Sequence, residues 1–319
     1  MAAAGLVLAG CATCDKNCDP VIGSWGLKLD YDKMNAGHMI VSRDADGNAH
    51  ALLLWRWASP EKIDNVKIYG NRISFDNWPR AFRFQGFVMG DKLTGVAIGK
   101  DGLVKTKVEG WRNPEICKCP CASTKNIKLG EPIDLLKDGL NGWETMNPNA
   151  KFGWSMKEEN GAKVLSNYLG LKPDGKWAGG GANLMTKRSD FYDFNLEYDV
   201  RVPKKSNSGV YLRGRYEIQV LDSYGQPVDC HNMAAYYGRV TPKVAAEKPA
   251  GEWQHVSVTL FRRHLTVVLN GQTIIDDAEV TGVTGGAIDA NEFVPGPLYL
   301  QGDHSDADYK NMILRPAVN

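Results

Sequence analysis

One stretch constrains this chain more than any other: Ser206-Asn-Ser-Gly-Val-Tyr-Leu-Arg-Gly-Arg-Tyr-Glu-Ile-Gln-Val-Leu-Asp-Ser-Tyr-Gly225. Its residues alternate. Val210, Leu212, Tyr216, Ile218 and Val220 form an apolar set, and Tyr211, Arg213, Arg215, Glu217 and Gln219 form a polar one. Side chains alternate faces along a strand, so the first set faces a core and the second faces the opposite surface. Gly214 either sits mid-strand or turns a tight hairpin; both options keep the rows apart. Two guanidinium groups, a carboxylate and a carboxamide in one short row are unlike an ordinary solvent face of scattered Lys, Thr and Ser. The row reads as the floor of a site for a polar, hydroxyl-rich ligand.

Several other short alternating runs precede it. Trp25–Tyr31, His38–Arg43, His50–Trp57, Val66–Tyr69, Arg72–Phe75, Phe82–Val88, Leu93–Ile98 and Leu103–Trp111 are separated by turn signals such as Asp101-Gly102. Such spacing predicts a small β-barrel or β-sandwich over residues 21–112. Residues 113–126, rich in Cys and Pro, break both periodicities and read as a linker. Residues 127–319 read as a larger antiparallel sandwich. Strands are expected at Asp193–Val202, Glu252–Phe261, Leu265–Leu269, Pro297–Gln301 and Tyr309–Arg315, with a hairpin at Asn270-Gly271. Val244–Lys248 is at most one helical turn.

Composition excludes some functions. A net charge of +1 with no basic stripe argues against nucleic acid. The 34 Gly, 9 Trp and 12 Tyr suit a turn-rich β protein that handles carbohydrate or another flat ligand. Residues 1–20 read as a lipoprotein signal and tether, because Leu8-Ala-Gly-Cys11 resembles a bacterial lipobox in which Cys11 is acylated, although the usual positive segment before it is missing. That expectation implies export to the periplasm or outer membrane, with membrane contact through the acyl chains alone. Cys14 and Cys18 could bridge Cys117, Cys119 or Cys121, as suits an oxidising compartment. The rival reading of the Cys-x-Cys-x-Cys run is a metal site, of no standard zinc spacing.

Across residues 130–316 the chain resembles the 3-keto-disaccharide hydrolase family. The resemblance rests on Leu135-Leu-Lys-Asp-Gly-Leu-Asn-Gly-Trp143, Asn207-Ser-Gly-Val-Tyr-Leu-Arg213, Tyr216-Glu-Ile-Gln-Val-Leu-Asp222, Tyr236-Tyr-Gly238, Lys248-Pro-Ala-Gly-Glu-Trp253 and Leu300-Gln-Gly-Asp-His304. Lys310 stands where the family often has Arg. The resemblance implies a concanavalin A-like jelly-roll β-sandwich and action on glycosides oxidised at C3, by hydrolysis or by elimination of the aglycone. A non-catalytic, lectin-like carbohydrate binder on the same fold is the alternative.

A C3 ketone acidifies the C2 hydrogen and makes the anomeric oxygen a leaving group β to the carbonyl. Cleavage needs a base near C2, a donor or cation on the enolate oxygen, and an acid for the leaving oxygen. Glu217 is the candidate base, Arg213 or Arg215 the enolate partner, and His304 an acid or base. Gln219, Gln301 and Tyr237 are expected to bond sugar hydroxyls, and Trp253 to stack on a pyranose. Asp222 either joins them or caps the Asp222–Gly225 turn. Glu217 with Arg213 or Arg215 could instead be a cross-strand ion pair on a solvated face. Asp303, His304, Asp306 and Asp308 could hold a divalent cation, although not in an EF-hand spacing. Ser-His-Asp chemistry has no Gly-x-Ser-x-Gly support. For the tether, Cys11→Ser is expected to release the protein from a membrane fraction; unchanged membrane partition in that variant removes the lipobox reading.

Overall fold

The computed structural model describes residues 19–32 and 34–319. Cys11, Cys14 and Cys18 lie outside the described residues, so acylation and bridging remain sequence expectations. Nine strands come first: β1 (Gly23–Leu29), β2 (Ala36–Arg43), β3 (Ala49–Trp55), β4 (Glu61–Ile63), β5 (Lys67–Tyr69), β6 (Arg72–Asn77), β7 (Phe82–Met89), β8 (Lys92–Gly99) and β9 (Val104–Arg112). They form one sheet in the order β4-β3-β2-β1-β9-β8-β7-β6-β5. The sheet curls on itself, because its apolar faces need a common interior. Trp25, Leu27, Met39, Val41, Leu53, Phe75 and Phe84 share that core. Where the curl brings β4 near the end of β6, side chains bridge the gap. Glu61 accepts from Asn77 Nδ2 at 3.0 Å and from Arg80 Nε at 2.8 Å.

The remaining strands are β10 (Ile133–Asp134), β11 (Trp143–Thr145), β12 (Trp154–Glu159), β13 (Ala162–Asn167), β14 (Leu184–Thr186), β15 (Phe194–Arg201), β16 (Asn207–Leu212), β17 (Tyr216–Leu221), β18 (Gln254–Phe261), β19 (His264–Leu269), β20 (Gln272–Glu279), β21 (Tyr299–Leu300) and β22 (Ala307–Pro316). One sheet runs β12-β13-β22-β15-β18-β19-β20, with β10 paired to β22; the other runs β11-β14-β21-β16-β17. Alternate residues of both sheets meet in one core: Leu196, Tyr198 and Val200 of β15, Val256 and Val258 of β18, Val210 and Leu212 of β16, and Ile218 and Val220 of β17. This is a jelly-roll sandwich, as the alternation predicts. Asn270 (φ 50°) and Gly271 (φ 83°) turn the β19–β20 hairpin. Residues 244–248 form no helix; the described helices are four short 3₁₀ turns.

The segment 113–126 is fixed against the second sandwich. Thr124 N donates to Asp277 Oδ1 at 2.7 Å, and Asn113 Nδ2 donates to Glu292 Oε1 at 2.8 Å. Cys117, Cys119 and Cys121 are exposed, and no disulfide forms among the described residues. Ala36 and Leu54 of the first sheet join the apolar core of the second sandwich. This contact sets the loops of the curled sheet against the outer face of the β11-β14-β21-β16-β17 sheet.

Candidate active site

Three strands build the floor. Tyr299 of β21 stands opposite Tyr211 of β16, and Tyr211 stands opposite Glu217 of β17. One pleat further along, Gln301 N donates to Gly209 O at 2.9 Å, and Gly209 pairs with Gln219. Two rows therefore cross the same face. The phenol rings of Tyr211 and Tyr299 stack with centroids 4.2 Å apart. Gly209 leaves a hollow in the second row. A Cβ there would stand 2.3 Å from Glu217 Oε1, so only glycine lets the carboxyl lie across this strand. The resulting cavity, about 110 Å³, is lined by these residues, Asn207, Asp303, His304 and Tyr237, and by Met34, Trp57 and Ala58 from the first sheet's loops.

Glu217 is 3% exposed. Burial pushes its carboxyl up to about 8; the charge of Asp303 adds to the rise, and the Tyr211 hydrogen bond opposes it. The Tyr211 hydroxyl lies 2.8 Å from Glu217 Oε2 and 2.8 Å from Gly285 O. It carries one proton. A protonated Glu217 donates to Tyr211, whose proton then goes to Gly285 O; an ionised Glu217 accepts from Tyr211. Burial also holds the Tyr211, Tyr299 and Tyr237 phenols above their ordinary value, so all three remain protonated. Asp303 Oδ1 lies 2.6 Å from His304 Nδ1 and raises the imidazole, against a smaller effect of burial. The imidazolium consequently persists further toward neutral pH. Gln301 Oε1 and Asn207 Oδ1 are buried without a partner. Both are acceptors with no donor, on the wall of a cavity suited to hydroxyl groups.

The structure gathers Glu217, Gln219, Tyr237, Gln301 and His304 around this cavity, and places four other sequence candidates elsewhere. Arg213 (φ 53°) and Gly214 (φ 67°) turn the β16–β17 hairpin, with Arg215 N bonded to Leu212 O. The turn ends the alternation, so Arg213 leaves the polar row. Its guanidinium is buried between Tyr192 and Tyr216 and donates to Glu292 O. Arg215 pairs with Asp289 at 2.7 Å. Neither forms an ion pair with Glu217, and the polar row is buried under loops rather than solvated. Asp222 Oδ2 accepts from Lys205 N at 2.8 Å and braces a turn. Trp253 packs between Arg201 and Lys310, at 4.4 and 4.1 Å, outside the cavity. The four residues that could hold a divalent cation do not converge either. Asp306 Oδ1 accepts from Leu169 N at 2.6 Å, and Asp308 is paired with Arg201 at 2.7 Å.

Sequence reasoning passed over Tyr299, Gly209 and Ala58, and offered Asp303 only as a cation ligand. Tyr299 was within reach, since stepping back two residues from Gln301 on the same strand arrives at it. A larger cleft, about 890 Å³, lies beside β1 and the 113–118 segment. It presents paired cations, Arg43 with Asp19 and Arg112 with Asp91, rather than a convergent acid–base set.

The chain is similar to several solved structures, each over part of its length. An assumed glycosyl hydrolase from Parabacteroides distasonis is 23% identical, with a TM-score of 0.44, over 59% of this chain and 84% of that one. Domain 4 of AbnA, a GH43 extracellular arabinanase from Geobacillus stearothermophilus, is 10% identical, with a TM-score of 0.38, over 60% of this chain and 95% of that one. A mutant of the GH16 endo-beta-1,3(4)-glucanase SCLam is 14% identical, with a TM-score of 0.36, over 63% of this chain and 98% of that one. No curated protein sequence matches the chain. The family model described as the 3-keto-alpha-glucoside-1,2-lyase-like domain matches residues 132–315, more than half of the 319 residues. With its cavity floor drawn wholly from the matched residues, the chain belongs to that family of carbohydrate-acting proteins.

Proposed function

We propose that the protein cleaves 3-keto-glycosides by elimination across C1 and C2, releasing the aglycone. The observation that carries this reading is the burial of Glu217 in a cavity whose other groups are neutral hydrogen bonders and the Asp303–His304 pair. A lectin has no use for a carboxyl held near 8, whereas a general base works best with a pKa near the working pH. Ionised Glu217 takes the C2 proton. The electron pair of that C–H bond moves toward the C3 oxygen, giving an enolate. His304, whose charged form Asp303 favours, faces the cavity and stabilises the developing negative oxygen. This role replaces the one expected of Arg213. The enolate then collapses, the C1–O bond breaks, and the leaving oxygen takes the electron pair and a proton from water. Gln219, Gln301 and Asn207 hold the remaining hydroxyls.

Two outcomes follow for Glu217→Gln, which keeps shape but removes the base. Turnover of a 3-keto-glucoside, read as aglycone release, is expected to fall ~10²–10⁴-fold, and an ordinary glucoside is not expected to react with either protein. Wild-type kcat/KM is expected to rise with pH through about 8, because the ionised form reacts. A profile that still falls through that region in His304→Gln assigns Glu217 as a donor instead.

Stability moves the other way. The folded pKa lies above the unfolded one, so the folded protein keeps a proton that the unfolded chain releases. Wild-type stability is therefore lost as pH rises from the unfolded carboxyl range through about 8. The variant lacks this loss. Its unfolding free energy relative to the wild type is expected to rise with pH, by on the order of 1.4 kcal/mol per pH unit at most, read as a melting-temperature gap that widens with pH. Parallel melting curves at pH 5 and pH 8 contradict a buried, proton-holding Glu217.

A further inference from the structure

The cavity volume, about 110 Å³, is well below the roughly 300–1,000 Å³ of a pocket that encloses a whole small ligand. It has room for one sugar ring at most, so the aglycone of a glycoside falls outside it, at the mouth. On the first sheet's side, the described residues there are Met34, Trp57 and Ala58. Trp57 is 49% exposed. A single exposed indole is ordinary on a protein surface, but this one is held more tightly than a chance surface residue.

The residues on both sides of it are left-handed, Arg56 (φ 72°) and Ala58 (φ 64°). Such angles are uncommon outside glycine and persist where the surroundings fix them. Both halves of the chain fix them here. Within the first sheet, Trp57 N donates to Trp55 O at 3.0 Å, Arg80 Nη2 to Trp57 O at 3.3 Å, and Arg56 Nε to Met34 O at 2.9 Å. From the second sandwich, Gly286 N donates to Arg56 O at 2.8 Å, and His231 Nε2 lies 2.6 Å from Ser59 Oγ. A Cβ on Gly285 would stand 2.5 Å from Ala58 O and 2.9 Å from the carbonyl carbon of Trp57, so glycine there admits the loop. Gly285 O also accepts from the Tyr211 hydroxyl, so the loop rests on a residue that orients the phenol beside Glu217. The Arg56 guanidinium lies 4.2 Å from the Trp57 ring centroid and 3.7 Å from that of Tyr31, so three planar groups stack. The guanidinium covers one face of the indole and leaves the other for a second flat group.

We infer that Trp57 is a platform on which the aglycone stacks, and that the aglycone it fits is an aromatic ring. This inference rests on the elimination reading above. Two observations favour an aromatic ring over a second sugar. The mouth is apolar on this side: neither Met34 nor Ala58 offers the hydrogen bonds that a second sugar's hydroxyls require. The departing oxygen also takes its proton from water rather than from a placed acid. A phenol, with a pKa of about 10, departs as phenolate more readily than a sugar hydroxyl departs as alkoxide. The second sandwich then supplies the chemistry, and the curled sheet selects which glycoside reaches it. Trp57 lies outside residues 132–315, so the platform is an addition to the matched domain.

Aglycone selectivity tests the platform. The substrates are phenyl 3-keto-glucoside, methyl 3-keto-glucoside and a 3-keto-glucosyl-glucose of the same anomeric configuration. For each, kcat/KM is measured with the wild type, Trp57→Ala and Trp57→Phe. Each variant is compared with the wild type on the same substrate, so the acidity of the leaving group cancels. Trp57→Ala is expected to lose ~10-fold more on the phenyl compound than on the methyl compound, chiefly through KM, and Trp57→Phe to recover most of that difference. Equal losses on these two compounds make Trp57 a structural residue and overturn the platform, with the elimination reading intact. A selective loss on the disaccharide as large as that on the phenyl compound overturns the aromatic assignment. If the wild type cleaves none of these substrates, the elimination reading falls, and calorimetric affinities decide the platform alone. The same selective weakening for the phenyl compound in Trp57→Ala then supports it, and its absence overturns it.

Discussion

The carboxyl of Glu217 lies away from water, with one phenol as its hydrogen-bond partner, and much of the site follows from that placement. An ionised carboxylate in such surroundings is costly, so the group keeps its proton to about 8. The fold accepts this cost through local devices. Gly209 removes a side chain from the adjoining strand so that the carboxyl can lie flat. Tyr211 can accept from the acid or donate to the carboxylate, and so serves both protonation states. Thr284 Oγ1 accepts the backbone N–H of Glu217 at 2.9 Å, and so fixes the lid loop over the strand. A base positioned in this way is reactive because it is poorly solvated, and the same fact makes it a burden on stability.

Around that carboxyl, the two sheets of the sandwich have separate tasks. The larger sheet supplies the wall of the core, and its outer face carries ordinary ion pairs such as Arg201 with Glu159 and Asp308. The smaller sheet places its apolar row on that core and its polar row under loops. The loops come from both halves of the chain. Met34, Trp57 and Ala58 close one side of the cavity, so residues outside the matched segment help to shape it. The curled sheet is thus part of the site's wall.

Much of the fold was legible in the sequence. Alternation along residues 207–221, 194–201 and 254–269 located strands that the structure contains, because one buried face forces a period of two. The strands between 133 and 186 were not legible, since most span two to six residues and carry too few alternations to register. The site was legible only where the alternation held. Glu217, Gln219, Gln301, Tyr237 and His304 share the cavity. Arg213 was misplaced because positive φ at two successive residues makes a turn that periodicity cannot register. Trp253 and Asp222 had alternative partners, two cations and a backbone N–H, that only three-dimensional neighbours reveal. Gly209 was legible only as part of a family motif, yet it marks a place where the Glu217 carboxyl needs the volume of a missing side chain.

The central claim is that Glu217 removes the proton from C2. A ligand that retains the C3 ketone but has no aglycone at C1, 3-keto-1,5-anhydroglucitol, isolates that step. Incubated with the protein in deuterated water, it should exchange its C2 hydrogen for deuterium, followed by NMR, and Glu217→Gln should reduce the exchange to the solvent rate. Exchange at the wild-type rate in that variant, or no protein-dependent exchange at C2, contradicts the account.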